Sequence, residues 1–315
     1  MAWPTLPGIC LGATETMGRD TTPATAAHPR PPCPVCGAGS WSSPLRATRL
    51  RMCSVCGTVL NDRSPSRKEE ERIYESYSSA PKPEEAPIGA AQWQWVTRTL
   101  RPVAAGERLA VLDIGCGHGG FLTAARDSGA QVAGVELDPA GVATCRALGL
   151  PVEHGSVFDT GLPPGTWDVI TMWDVLEHLE FPRRALELAL PGLCPGGLLV
   201  VRGRNARFHV PWKAAYARCR GPMRRLHLRD LSCVHRWGFG PAAYARLLRE
   251  TGLAEIRLHP GIPTPGDRSG ALGPRQLARG VKALLRVAGV LAYHASLHHV
   301  YLFPSVLVSG RKPGA

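Results

Sequence analysis

The sequence predicts an α/β protein: a doubly wound, largely parallel sheet preceded by a small cysteine-rich module. Three observations carry this reading. An apolar run, Val111-Leu112-Asp113-Ile114, passes directly into Gly115-Cys116-Gly117-His118-Gly119-Gly120 and then into an amphipathic pattern, which reads as buried strand, tight turn and helix N-terminus. Strand-like and helix-like segments alternate from there to Arg202, the arrangement that winds helices onto both faces of a parallel sheet. Ahead of them stand two matched knuckles, Cys33-Pro34-Val35-Cys36-Gly37 and Cys53-Ser54-Val55-Cys56-Gly57.

Residues 1–30, rich in Pro, Thr, Ala and Gly, read as a disordered leader, with Met17 an alternative start. They have no basic start followed by a continuous apolar core, so they do not read as a signal peptide. Residues 31–65 hold the knuckles. Each C-x-x-C-G turn aims two thiolates at one point, and two knuckles complete a closed tetrahedral set, which predicts a structural Zn2+ on Cys33, Cys36, Cys53 and Cys56. A ribbon this short lacks the core to fold alone, so the metal would supply its folding free energy. The competing reading is a redox pair. Residues 66–90 read as a docking helix, Glu69–Tyr77, and a Pro- and Ser-rich linker.

Residues 91–315 then form the α/β domain. Helices are expected at Gln92–Leu100, Gly120–Ser128, Pro139–Leu148 (with proline at the first helical position), Pro182–Leu190 and Pro241–Thr251. Strands are expected at Leu109–Ile114, Gln131–Glu136, Pro151–His154, Trp167–Met172, Leu198–Arg202, Leu253–Leu258 and Val300–Ser309. The alternation breaks over 203–238, where basic residues, aromatics and histidines mix, and over 260–298, which contains an amphipathic helix with a basic face, Gln276–His298.

No apolar stretch approaches the roughly 20 residues needed to span a bilayer. Six cysteines are scattered outside the knuckles, a usage that favours metal ligation in the reducing cytosol over disulfides, so the expected location is cytoplasmic. The net charge of +12 is uneven: residues 1–200 carry 17 Lys/Arg against 21 Asp/Glu, net −4, and residues 201–315 carry 20 against 4, net +16. Such asymmetry points to an acidic partner for the C-terminal part, although an Arg-rich surface also follows from a biased base composition.

The segment Gly115-x-Gly117-x-x-Gly120 also fits a dinucleotide turn, so the glycines alone leave the adenosine ligand open. Asp113 shifts the choice. A carboxylate beside a pyrophosphate is repelled, whereas it suits a cationic ligand carrying an ammonium and a sulfonium. With that, Asp113-x-Gly115-x-Gly117-x-Gly119 resembles the first motif of class I S-adenosylmethionine-dependent methyltransferases. Four later segments match in order: Val132–Glu136, Gly155–Asp159, Trp167–His178 and Pro195–Val201. Residues 33–77 are similar to the N-terminal zinc-binding segment of a bacterial group that includes sugar C-methyltransferases, and the whole resembles the ubiquinone-biosynthesis-like group. The resemblance implies a Rossmann-like seven-stranded sheet whose last strand runs antiparallel. It implies S-adenosyl-L-methionine as cofactor, held by Asp113, Gly115, Gly117, Gly119, Glu136 on the ribose and Asp159 at the adenine amino group. Asp174 either joins them or holds a histidine.

The implied reaction displaces the sulfonium methyl in line, with positioning carrying much of the catalysis. A hydroxyl or acidic C–H acceptor also needs a base. His178, just past the fourth strand, and His235, in a His-x-x-x-Phe stretch, are the catalytic candidates that the resemblance implies. The insertions 203–238 and 260–298 would lie near the acceptor pocket. The expected acceptor is a small or carrier-bound anionic molecule, methylated on oxygen or carbon. The rival class is a nucleic-acid methyltransferase or binding protein that grips RNA through ribbon and basic tail. Against it, the fourth strand ends Trp173-Asp174-Val175-Leu176, not in the Asn/Asp-Pro-Pro-Tyr that amino-group base methylators resemble.

Overall fold

The computed structural model describes residues 30–43, 50–62, 85–100, 108–219, 221, 235–261, 301 and 303–314. The expected leader, the docking helix Glu69–Tyr77 and the helix Gln276–His298 lie outside the described residues. Three short strands come first: β1 (Trp41–Ser42), β2 (Leu50–Cys53) and β3 (Val59–Asn61). Helix α1 (Glu85–Thr99) leads into β4 (Ala110–Ile114), α2 (Gly120–Asp127), β5 (Gln131–Glu136), α3 (Pro139–Ala147), β6 (Val152–His154) and β7 (Trp167–Trp173). Then follow α4 (Pro182–Ala189), β8 (Leu193–Arg204), α5 (Ala206–Arg218), β9 (Trp237–Gly238), α6 (Pro241–Glu250), β10 (Ala254–Pro260) and β11 (Ser305–Arg311).

Seven strands form one sheet in the order β10-β11-β8-β7-β4-β5-β6. The five central and edge strands β8, β7, β4, β5 and β6 are parallel, and β11 pairs antiparallel with both β8 and β10. This is the doubly wound sheet with an antiparallel last strand that the sequence led us to expect. Its stability follows from two-sided burial. Parallel strands covered on both faces read as near-continuous apolar runs, with alternate residues entering opposite cores. Val111, Val169, Leu198, Val200 and Leu307 enter one core with Trp93 and Val96 of α1, Phe121 and Leu122 of α2 and Val142 of α3. Their strand neighbours Leu112, Ile170, Leu199, Val201 and Val308 enter the other, with Leu186 of α4 and Tyr244, Leu247 and Leu248 of α6.

The elements differ from expectation at their ends. Helix α1 starts at Glu85, inside the segment read as linker, and runs through Pro87. An acid suits the positive end of a helix, and proline is tolerated in the first turn, where its missing N–H has no acceptor. Gly89 is the reason this helix docks so closely: a Cβ there would lie 2.2 Å from the carbonyl oxygen of Gly120, at the start of α2. Strand β8 is longer than Leu198–Arg202 at both ends: β11 pairs along it as far as Arg204, and Trp167 of β7 pairs with Leu193. Within the segment 203–238, Asn205 caps a helix: its side chain accepts from the Arg207 N–H at 3.0 Å.

The second sheet has the order β1-β2-β3-β9. Its fourth strand comes from far along the chain, with Val59 opposite Gly238 and Leu60 opposite Trp237. Cys33, Val35, Cys53 and Leu60 bury their side chains in the α4/α6 core, not in a core of their own. Arg183 at the start of α4 fastens the first knuckle, donating from Nε to the Pro34 carbonyl at 3.0 Å and from Nη2 to the Val35 carbonyl at 2.7 Å. Among the described residues no helix is long and apolar enough to cross a membrane.

Candidate functional site

Parallel strands in a doubly wound sheet open their ligand site at their C-terminal ends. Here β5, β4 and β7 are adjacent, and their ends carry Glu136, the Gly115–Gly119 loop and Asp174. Gly115 and Gly119 have φ of 75° and 79°, left-handed angles that glycine adopts without strain. There is also no space for a side chain: a Cβ at Gly115 would lie 2.5 Å from Val175 Cγ2, and one at Gly119 would lie 2.5 Å from Leu150 Cδ1. The loop presents its N–H groups to Glu136, whose Oε2 accepts from Gly117 at 2.7 Å while Oε1 accepts from Asp138 at 2.8 Å. Asp138, which sequence reasoning passed over, caps α3 by accepting from Gly141 at 2.8 Å, just before Pro139. An acid followed by proline at a helix start was the signal for it.

Asp113 lies beneath this loop. Its carboxyl is buried and accepts from the Thr171 hydroxyl at 2.6 Å. Burial pushes it up to about 8; the Thr171 bond opposes the rise and the nearby Glu136 charge adds to it. Asp159 is exposed in the turn after β6, where its N–H donates to the Ser156 carbonyl at 2.9 Å. Beside these acids Leu137 and Phe158 are each 36% exposed, apolar side chains left open next to the Glu136 cradle in sequence and fold. His118 Nδ1 stands 3.2 Å from Glu85 Oε2, tying the loop to α1.

The neighbouring strand end builds a second cluster. Asp174 is a non-glycine residue at φ 56°, held by an ion pair with the buried Arg202 and by its N–H donating to the Arg202 carbonyl at 2.8 Å. That fixed bend sends Val175–His178 into a turn, closed by the His178 N–H donating to Val175 at 2.9 Å. His178 and His235, 57 positions apart, meet with ring centroids 3.8 Å apart. Burial and then the Arg204 charge hold His178 down at about 4. Burial, His178, Arg204 and His209 hold His235 down at about 3, so both rings are neutral near pH 7. Trp237 fixes His235 here: its N–H donates to the Glu177 carbonyl at 2.9 Å and its indole N–H to the Leu179 carbonyl at 3.0 Å.

Glu177 is the residue sequence reasoning missed on this side, although it stands directly before His178. It is fully buried, and its Oε1 accepts from the Arg204 N–H at 3.1 Å. Among the described residues its Oε2 has no hydrogen-bond partner. Burial, then the Asp174 charge, pushes its carboxyl up to about 8. The potential ligand atoms of Glu177, His178 and His235 all lie within 4.8 Å of one another.

The four knuckle cysteines also converge. Cys33 and Cys56 place their sulfurs 3.4 Å apart, Cys36 and Cys53 theirs 3.5 Å apart, and all four lie within 4.8 Å of one another. Sulfurs bound at about 2.3 Å around one tetrahedral ion stand roughly 3.8 Å apart, so the set fits a Zn2+. Gly37 and Gly57, at φ 72° and 73°, close the two turns with N–H bonds back to Cys33 and Cys53. The second knuckle reaches the other cluster through β3: the Asn61 N–H donates to the Arg236 carbonyl at 3.0 Å, one residue after His235.

The chain is similar to known methyltransferases. A family model described as a methyltransferase domain matches residues 88–258, more than half of the chain. A ubiquinone biosynthesis O-methyltransferase from Burkholderia orbicola is 36% identical over 100 residues, which cover 30% of this chain and 42% of that protein. A probable S-adenosylmethionine-dependent methyltransferase from Mycolicibacterium smegmatis is 29% identical over 126 residues, 39% of this chain and 47% of that one. The match thus spans less than half the length of these curated relatives. A crystal structure of an S-adenosylmethionine-dependent methyltransferase from Mesorhizobium loti aligns over 71% of this chain and 99% of its own, with 20% identity and a TM-score of 0.48. On its family match and its strand order, this chain belongs to the class I S-adenosylmethionine-dependent methyltransferases.

Proposed function

We propose that this chain transfers a methyl group from S-adenosylmethionine to a small or carrier-bound anionic acceptor, at oxygen or carbon. The observation that carries the proposal is the juxtaposition, on adjacent strand ends, of the Glu136–Gly117 cradle with the His178–His235 pair. When bound, S-adenosylmethionine supplies an electrophilic methyl on a good leaving group. The chain's part is to hold and orient. Glu136, pinned by two backbone N–H groups, presents its carboxylate to the ribose hydroxyls, and Asp159 takes the adenine amino group. Leu137 and Phe158 offer apolar surface to the adenine ring. Asp113, which keeps its proton near pH 7 in the empty site, supports the Gly115, Gly117 and Gly119 turns through its bond from Thr171, and ionises only where the cationic end of the cofactor draws that proton off. Asp174 pairs with Arg202 through Oδ2 and shapes the turn that carries His178, while its Oδ1 has no hydrogen-bond partner among the described residues.

On the acceptor side, the two paired imidazoles are the candidate bases for a hydroxyl or an acidic C–H, and burial with the Arg204 charge keeps both rings unprotonated while making them weak bases until the acceptor is bound. The Arg204 charge acts on both rings, and a nearby positive charge supports an anionic acceptor. We further propose that Cys33, Cys36, Cys53 and Cys56 hold one structural Zn2+, and that the chain works in the reducing cytosol, where such thiolates persist.

Calorimetry with S-adenosylhomocysteine, together with transfer of labelled methyl from cofactor to cell-extract fractions, tests the reading. Binding weakened in Glu136→Ala and label in a small anionic product are expected. Label in RNA or DNA, with affinity falling steeply with salt, would instead favour the nucleic-acid reading.

A further inference from the structure

We infer that Trp173, Asp174 and Arg202 form a hydroxyl-binding subsite of the acceptor pocket, so that the acceptor is an alcohol or phenol carrying this hydroxyl in addition to the atom methylated. The inference rests on the methyl-transfer reading above and deepens it by naming a group that the acceptor carries.

The ends of β7 and β8 bring the three side chains together. Trp173 and Arg202 are register partners at the C-terminal ends of these parallel strands, where such a sheet opens its ligand site. Register partners project from the same face, on strands about 4.8 Å apart. Residues two apart along a strand also share a face, so Trp173 follows Val169, and Arg202 follows Val200, onto the side that α1 and α2 cover. Phe121 of α2, just past the glycine turns, packs on Trp173 with ring centroids 5.4 Å apart, so the subsite adjoins the loop assigned to the cofactor. Asp174 comes next in the chain, and its Oδ2 meets Nη1 of Arg202. The Arg202 side chain is 7% exposed and that of Asp174 32%, so the guanidinium is sealed and the carboxylate side is the way in.

Each of the three holds one buried polar atom without a hydrogen-bond partner among the described residues: Trp173 Nε1, Asp174 Oδ1 and Arg202 Nε. Buried polar atoms are costly to leave unanswered, and the chemistry of this set narrows what answers it. Two are N–H donors and one is an acceptor oxygen. A hydroxyl is their complement, with one O–H to give to Asp174 and two lone pairs to accept from Trp173 and Arg202. A carboxylate has no proton for Asp174 and is repelled by it, while an ammonium has no lone pair for the two N–H groups. The Asp174–Arg202 pair also sums to little charge, which suits a neutral group. A hydroxyl held in this way has its lone pairs engaged by two donors, one of them cationic, which makes its oxygen a poor nucleophile. The atom methylated is therefore another one on the same molecule, and His178 and His235 remain the candidate bases for it. An anionic handle belongs on the Arg204 side of the pocket.

The test uses the full chain with isotope-labelled tryptophan indoles, followed by nuclear magnetic resonance in the presence of S-adenosylhomocysteine. Phenol is the probe and fluorobenzene its counterpart without a hydroxyl. Trp173→Phe identifies the Trp173 indole resonance by its loss. Phenol should shift that resonance saturably, and fluorobenzene should leave it in place. Asp174→Asn tolerates the left-handed φ of 56° and should weaken phenol about tenfold. Arg202→Lys keeps a positive charge beside Asp174 while removing the Nε–H, and should weaken phenol by a similar factor. The two variants act on different bonds, so one reports where the other folds poorly. A Trp173 resonance that phenol leaves unmoved, one that fluorobenzene shifts as far, or a phenol affinity that the folded variants keep overturns the subsite. If calorimetry shows S-adenosylhomocysteine bound in that case, the methyl-transfer reading stands without it. If S-adenosylhomocysteine fails to bind the wild type, it is the methyl-transfer reading that falls, and the phenol titration of the cofactor-free chain still decides the subsite.

Discussion

The seven-stranded sheet is coated on both faces by alternate side chains of its own strands, whereas the four-stranded sheet lends most of its buried residues to its neighbour's core. The local cluster left to it is small: Leu50, Val59 and Ala206, the last of these from helix α5. One region is held by hydrophobic area, the other by convergent thiols, by Arg183 and by one borrowed strand, β9. The contrast teaches where the histidines get their placement. His178 hangs from the large sheet, and His235 stands next to the strand that completes the small one. The His178–His235 cluster is thus the seam between the two regions, and variants that loosen one region and spare the other show how far the seam depends on each.

The largest expected effect comes from removing the proposed zinc from the cysteine cluster. Structural zinc contributes on the order of 10 kcal/mol in isolated zinc-finger peptides. A strong chelator should therefore abolish amide-exchange protection in residues 50–62 while β4, β7 and β8 stay protected. Unchanged protection in the ribbon would show that the borrowed strand and Arg183 suffice. Next comes Trp237→Ala, which removes a buried indole serving both sheets and should cost about 3–5 kcal/mol in denaturant unfolding. Acceptor turnover should fall with it, while affinity for S-adenosylhomocysteine changes little. Equal losses of both would mean that the seam is not separable from the cofactor cradle.

Gly115→Val breaks the other side. It imposes a left-handed φ on a β-branched residue and drives its Cβ against Val175, a cost of about 2–5 kcal/mol. Calorimetry should find no binding of S-adenosylhomocysteine, with the zinc content intact. Glu136→Ala is milder. It leaves two backbone donors without their acceptor and should weaken cofactor affinity by about 1–3 kcal/mol, roughly 5- to 150-fold. Over a single pH unit the smallest effect is on pH dependence. The Asp113 carboxyl is raised to about 8, so the folded state keeps its proton where the unfolded chain has lost it. Its contribution to stability is present below about pH 4 and is lost as pH rises to about 8, with a slope of at most about 1.4 kcal/mol per unit. Asp113→Asn should flatten the urea-midpoint profile between pH 6 and 8, and an unchanged slope would contradict the buried-acid account.

What the sequence by itself determined were the features written in short-range chemistry. The glycine spacing from Gly115 to Gly119 encodes its own turn, because only residues free at positive φ close it without strain. Two C-x-x-C-G knuckles encode a convergent four-sulfur set. The apolar runs from Val111 to Val201 encode a doubly covered sheet. Element ends were less legible. Glu85 and Pro87 look like linker residues until Gly89 is seen seated on Gly120, and β8 is extended by a partner strand from the far end of the chain. Tertiary structure alone decided the cluster around His178. Nothing local to His178 announces that His235 will meet it, that Glu177 will be sealed beneath both, or that Leu60 of the ribbon will pair with Trp237. Those juxtapositions come from sheet order and long-range strand pairing. A backbone hydrogen bond between strands is indifferent to side-chain identity, so the sequence carries little local mark of which distant segment will supply the partner.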